Sequence, residues 1–223
     1  MDLQRFGEKI QKNLAQRKIE LSRLRILALS THPDRAQESL LCRAVVVFSY
    51  AHWEGFVKSS SQLYIEHLNT LQIPVLKLKK PLQAAHVLTY LSQAGNSSRT
   101  SVLGELLEKI DTDRKEPFFA NPAKCIATGG NLSSEAFKDI VIGIGLPYSD
   151  AYSTRQAFID EKLVHSRNQV VHGEMIPFTQ ADAGERLDAV RTLLDMYANQ
   201  LLDAARDGLY LMTETSQPSA PHR

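Results

Sequence analysis

Cysteine is scarce in this 223-residue chain. Cys42 and Cys125 are too few for a disulfide framework or a thiolate metal site, which points to a reducing compartment, the cytoplasm. Long apolar runs are missing too: the opening MDLQRFGEKIQKNLAQRKIE has no leader-like apolar core, and no stretch approaches the ~20 residues of a membrane span. Net charge is nearly absent. With 26 Lys and Arg against 25 Asp and Glu, the formal value is +1, so any contact with nucleic acid has to come from a local basic cluster. No segment alternates apolar and polar residues as a half-buried strand does, and no internal repeat or low-complexity array occurs. Gly129 and Gly130 lack the spacing and flanks of a phosphate-binding loop.

What is present reads as one helical domain. Hydrophobic residues at 43% and charged residues at 23% are ordinary globular values, and the length suits a single core. Leu3, Phe6, Ile10, Leu14, Leu21 and Leu24 recur at helical spacing and predict an amphipathic helix over residues 3–29. Its other face carries Arg5, Lys9, Lys12, Arg17, Lys18, Arg23 and Arg25; a solvated helix face is the plainer account of them, an RNA-backbone contact the sharper one. A turn at Thr31 to Pro33 and a cap at Asp34 precede a second helix over residues 35–68. Between Arg43 and Lys58 its one formal charge is Glu54, and apolar residues point in every direction, as on a buried central helix. His52 and Trp53 read as core fillers.

Residues 71–131 form an irregular insertion, punctuated by Pro74, Pro81, Pro117 and Pro122, with a flexible turn at Gly95 to Ser98. Short helices are expected over residues 82–93 and 101–110, a loop over 117–131, and a basic cluster at Lys77, Lys79 and Lys80. Asn131 or Ser133 caps a helix through about Ile144, and Asp150 begins another. Thr179 and Asp182 have capping-box spacing ahead of a last helix with the stripe Leu187, Val190, Leu194, Tyr197 and Leu201, ending near Gly208. The polar, proline-bearing tail over residues 213–223 is expected to be disordered.

The chemistry concentrates in Lys162 to Glu174, KLVHSRNQVVHGE. On a regular α-helix Glu161, His165, Asn168 and His172 share one face, while Ile159, Leu163, Val170 and Val171 share the other. Arg167 falls near the middle of the apolar face, where a guanidinium requires a carboxylate, a partner chain or a cleft. Glu54 poses the complementary problem on the second helix, so the two are expected to pair, as a structural ion pair or as part of a catalytic site. Gly173 suits a left-handed helix stop and leaves His172 in the last turn at an exposed rim. His165 and His172 stand about 10.5 Å apart along the axis, too far to share one metal ion. No serine or cysteine has the setting of a nucleophile, which leaves proton transfer by histidine beside an arginine that can hold a phosphate.

Arg167, Asn168 and His172 spell R-N-x-x-x-H, and this resembles the signature of the HEPN superfamily (higher eukaryotes and prokaryotes nucleotide-binding). A second stretch, FSYAHWEGFVK from Phe48 to Lys58, is similar to the aromatic, glutamate-bearing helix of a bacterial HEPN branch found in toxin and antiphage loci. The resemblance implies an all-α bundle and metal-independent RNA cleavage, in which the 2′-hydroxyl attacks its own phosphate and leaves 2′,3′-cyclic phosphate and 5′-hydroxyl ends. It implies Arg167, His172, Asn168 and Glu54 as the catalytic set, with no metal or other cofactor. His165, Lys77, Lys79 and Lys80 are secondary RNA-contacting candidates. One motif histidine is a shortage for a two-proton reaction, and a twofold homodimer that joins two copies of the motif resolves it. An antitoxin or nucleotidyltransferase partner is the further expectation. The alternative is a non-catalytic HEPN dimer that binds nucleotide or a partner protein.

Overall fold

A computed structural model describes residues 1–30, 34–94, 99–127 and 129–212; the expected turns at 31–33 and 95–98 and the tail at 213–223 lie outside the described residues. The described chain is all-α, with α1 Leu3–Leu29, α2 Arg35–Thr70, α3 Lys80–Ala94, α4 Thr100–Asp113, α5 Pro122–Cys125, α6 Ser134–Gly143, α7 Asp150–Ser153, α8 Ser166–Val171 and α9 Gln180–Asp207. A π-helical segment, Phe158–His165, leads directly into α8. None of the described helices is long and apolar enough to cross a membrane.

The scaffold is the three-helix assembly of α1, α2 and α9. In α1 the Asp2 carboxylate accepts the Arg5 N–H at 2.7 Å, and Phe6, Ile10, Leu14, Leu21 and Ala28 turn inward. Its basic face is partly spent on α9: Lys18 pairs with Asp195 at 2.6 Å and Arg25 with Asp188 at 2.5 Å. In α9 the Thr179 and Asp182 side chains form a reciprocal capping box, and Gly208, at φ 67°, terminates the helix in the left-handed conformation. Trp53 and Phe56 of α2, Phe137 of α6, Tyr152 of α7 and Tyr197 of α9 form an aromatic cluster, with Trp53 edge-on to Phe137 at 4.8 Å.

Several expectations change in three dimensions. Between Arg43 and Lys58 helix α2 is not buried on all sides: Phe48 is 49% exposed. The 117–131 segment contains the short helix α5, capped by Asn121. The insertion is closed at its base, where Val75 N–H donates to Glu116 O at 3.0 Å and Phe118 N–H to Ile73 O at 2.8 Å. Helix α4 projects from it with no buried residue.

The largest departure is the motif helix itself. It does not run unbroken from Asp150: α7 stops at Ser153, and the chain re-enters the motif through the wide π-helical turn. Two tertiary contacts hold that turn. Asp160 accepts the N–H and hydroxyl of Ser134, the first residue of α6, at 2.7 and 2.6 Å. From the other side Arg186 of α9 donates to Lys162 O at 3.2 Å. A π-turn widens the helix locally, with hydrogen bonds that close five residues back.

Candidate active site

The inward face of the motif is a narrow row spaced by four, three and four residues. Ile159, Leu163 and Ser166 are buried and Val170 is half-buried, whereas Val171, expected on the apolar face, is 58% exposed. Ser166, in line with Ile159, Leu163 and Val170, takes a buried position, and its hydroxyl donates to Glu161 O at 3.0 Å, five residues back, as a π-turn permits. Arg167, one residue past that row, sits at the edge of the core, half-buried rather than central.

Arg167 lies over the ring of Tyr50, its guanidinium carbon 4.5 Å from the centroid, and its Nη1 donates to Asn168 Oδ1 at 2.7 Å. The stacking answers the desolvation problem posed by an inward arginine, since the face of the buried Tyr50 ring carries the negative part of its quadrupole. Glu54 and Arg167 were expected to pair, and among the described residues no ion pair joins them. Tyr50 mediates between them instead. Its hydroxyl accepts the Leu132 N–H at 2.7 Å beside Glu54. Burial pushes the Tyr50 phenol up to about 12, with Glu54 adding to the rise and the Leu132 N–H and Arg167 opposing it.

Helix α8 then stops on schedule. Gly173, at φ 86°, donates to Val170 O at 3.1 Å and Glu174 to Gln169 O at 3.0 Å, the paired bonds of a Schellman motif. His172 is the residue before that stop, exposed, with its backbone N–H on Asn168 O at 2.9 Å and, among the described residues, no hydrogen bond from its ring. An arginine braced by a tyrosine and an asparagine, with an uncommitted imidazole at an open rim, can hold an anionic oxygen and exchange a proton beside it. His165 is also exposed, at the end of the π-helical segment, on the solvent side with Glu161.

The lysine cluster lies elsewhere. Lys79 N–H donates to Tyr210 O at 3.0 Å and Met212 N–H to Lys77 O at 2.9 Å, so this strip is seated beyond the C-terminal end of α9. Lys79 Nζ is turned to Gly145 O at 3.2 Å and Lys80 Nζ to Gln83 Oε1 at 3.3 Å. The motif instead contacts α9 at Arg186, and the 22 residues from 186 to 208 correspond to about 33 Å of helix. Lys77, Lys79 and Lys80 are therefore not brought to Arg167 and His172. Nor do three His, Cys, Asp or Glu side chains converge anywhere among the described residues as metal ligands would.

Two residues of the site were not singled out in the sequence. Tyr50 stood in the quoted FSYAHWEGFVK stretch, four residues before Glu54 and hence on its face. Arg186 is 2% exposed and donates to Lys162 O, to Asp182 O at 3.0 Å and to Ser166 Oγ at 3.4 Å, with its guanidinium 4.9 Å from the Phe178 ring. Burial draws its pKa down and Asp182 draws it back. Its one sequence signal was the i, i+4 spacing from the Asp182 cap.

A family model described as RiboL-PSP-HEPN matches residues 12–203. The chain belongs to this HEPN family. Both parts of the site, Tyr50 and Glu54 on α2 and the R-N-x-x-x-H run on α8, fall within the matched span of the HEPN domain. No curated protein and no solved structure matches the chain.

Proposed function

We propose that this HEPN domain is a metal-independent endoribonuclease that cleaves RNA by 2′-hydroxyl transesterification, acting in the cytoplasm as a toxin or antiphage effector. The observation that carries the reading is the constellation itself: Arg167 seated on Tyr50 and bonded to Asn168, with the exposed His172 one turn beyond Asn168. In the reaction the substrate 2′-oxygen attacks the adjacent phosphorus and the P–O5′ bond breaks. A base takes the 2′-proton and an acid protonates the departing 5′-oxygen. Arg167 stabilises the charge on the phosphorane oxygens, and the Asn168 amide N–H2 is available to a phosphate oxygen. Glu54 acts at a distance by fixing Tyr50 under the arginine.

One His172 per chain supplies one of the two proton transfers, so the reading includes a twofold homodimer in which a second His172 supplies the other. Exposed apolar residues at the motif rim, Val171 at 58% and Met175 at 78%, favour this, because an isologous contact there would cover them. An antitoxin or nucleotidyltransferase would act by masking the same rim.

The test is cleavage by wild type beside His172→Ala and Arg167→Ala, with product ends mapped. Each variant is expected to fold and associate normally and to lose about a hundredfold to ten-thousandfold in rate. Cleavage should persist in EDTA, leave 2′,3′-cyclic phosphates, and fail on substrates lacking the 2′-hydroxyl at the scissile position. Equal cleavage by His172→Ala ends the catalytic reading. A wild type that cuts nothing yet binds nucleotide or a partner protein favours the non-catalytic scaffold.

A further inference from the structure

Arg43 is a second cation that the fold holds beside the motif without giving it a carboxylate. It lies on α2 in the row Arg43, Val47, Tyr50, Glu54, spaced by four, three and four residues and therefore on one helix face. It is half-buried, and its Nε is shielded from solvent with no hydrogen-bond partner. Its Nη1 rests on Met175 Sδ at 2.9 Å, and thioether sulfur is a weak acceptor. No ion pair to Arg43 forms among the described residues, although Lys18, Arg25, Arg186 and Arg206 all have one. A half-desolvated guanidinium in that state is poorly satisfied in the free protein.

Its place along the row matters. Tyr50 carries Arg167, and Arg43 carries Met175, so α2 and the motif segment run in opposite directions along this face. In sequence His172 falls between those two seats. Arg43 stands seven residues from Tyr50, about 10.5 Å along α2, which is too far to share the phosphate held by Arg167 but suits another phosphate on the same strand.

We propose that Arg43 is a second phosphate-binding residue, which grips an RNA phosphate flanking the scissile one and sets the strand in register across His172. This rests on the ribonuclease reading above. The guanidinium exchanges a weak sulfur contact for two parallel N–H to phosphate-oxygen bonds, a trade that binds substrate without entering the chemical step.

Cleavage kinetics of Arg43→Gln and Arg43→Lys beside wild type, on one short RNA at several salt concentrations, test it. Arg43→Gln is expected to raise KM about tenfold with kcat nearly unchanged and to melt no lower than wild type, since it removes an unpaired cation. The slope of log affinity against log salt, measured in a His172→Ala background, should become shallower by about 0.7, the loss of one phosphate contact on a single strand. Arg43→Lys should keep that slope and lose part of the affinity. Replacing single phosphates by uncharged methylphosphonates should reveal one flanking linkage whose neutralisation harms wild type and leaves Arg43→Gln unaffected.

A scan on wild type in which no flanking linkage matters overturns the proposal without recourse to any variant. So does an Arg43→Gln protein with the KM and salt slope of wild type, or one that melts early while KM and slope are unchanged, which would make Arg43 a structural residue. A wild type that cleaves no RNA removes the underlying reading, and the proposal with it. A wild type that cleaves while Arg43→Gln matches it removes the Arg43 inference alone.

Discussion

Replacing Arg186 by methionine tests whether the π-helical turn is imposed by tertiary contact. The substitution keeps an unbranched apolar stem against Phe178 and removes the three donated bonds, to Lys162 O, Asp182 O and Ser166 Oγ. Asp182 O keeps an intrahelical role, but Lys162 O and the buried Ser166 hydroxyl lose a charged donor. A hydrogen bond from a charged donor contributes about 1.5 to 3 kcal/mol, so the loss of these two costs about 3 to 6. Release of a desolvated guanidinium offsets part of this, and a net loss of about 3 kcal/mol is expected. For a domain of this size that lowers Tm by about 6 to 12 °C. Circular dichroism melts give the loss, and hydrogen exchange of the 158–171 amides shows whether it is centred on the π-turn and α8. Cleavage should fall as well, because Arg167 and His172 take their direction from that turn. An Arg186→Met protein that melts within about 2 °C of wild type, with unchanged protection over 158–171, refutes the reasoning.

Gly173→Ala should cost about 1 to 2 kcal/mol from its φ of 86° alone, since an added Cβ meets no neighbouring atom within 4 Å; a thermal melt measures it, and an unchanged melt would remove the role given to the Schellman stop. Glu54→Gln should lower stability by no more than about 1 kcal/mol, because Glu54 pairs with no buried cation, and a chemical-denaturation loss of about 3 kcal/mol or more would restore a direct Glu54–Arg167 interaction. Lys77→Gln with Lys80→Gln should leave cleavage unchanged, since both lie at the far end of α9, and a tenfold fall in kcat/KM would show that substrate reaches them. Alkaline pH should unfold the protein cooperatively. Burial holds the Tyr50 and Tyr90 phenols up near 12, and raises Tyr64, Tyr152 and Tyr197 too. The unfolded chain therefore releases these protons first, near pH 10, and the stability present below pH 10 is lost between pH 10 and 12. Tyrosine absorbance that rises before helix content falls would contradict this order.

The sequence alone determined those features whose cause is local. Asp2, Asp34, Ser133 and Thr179 cap helices because their side-chain oxygens meet backbone N–H groups two or three residues away. Gly173 and Gly208 end helices because a left-handed residue without Cβ is unstrained, and the stripes of α1 and α9 bury their hydrophobic faces as the 3.6-residue period requires. The motif was legible for the same reason: Arg167, Asn168 and His172 are three positions on one short helix. Tertiary structure decided what depends on a neighbour distant in sequence. That Arg167 settles on Tyr50 and not on Glu54 depends on how α8 packs on α2, and the π-turn ahead of it is held by Ser134 and Arg186, 26 and 24 residues from their partners Asp160 and Lys162. A 3.6-residue reading carried no sign of the π-turn, because a residue inserted into a helix leaves composition and local propensity unchanged. The exposure of Phe48 and the removal of Lys77, Lys79 and Lys80 to the far end of the bundle have the same origin: which face of a long helix is covered, and which loops meet, are set by the packing of α1, α2 and α9.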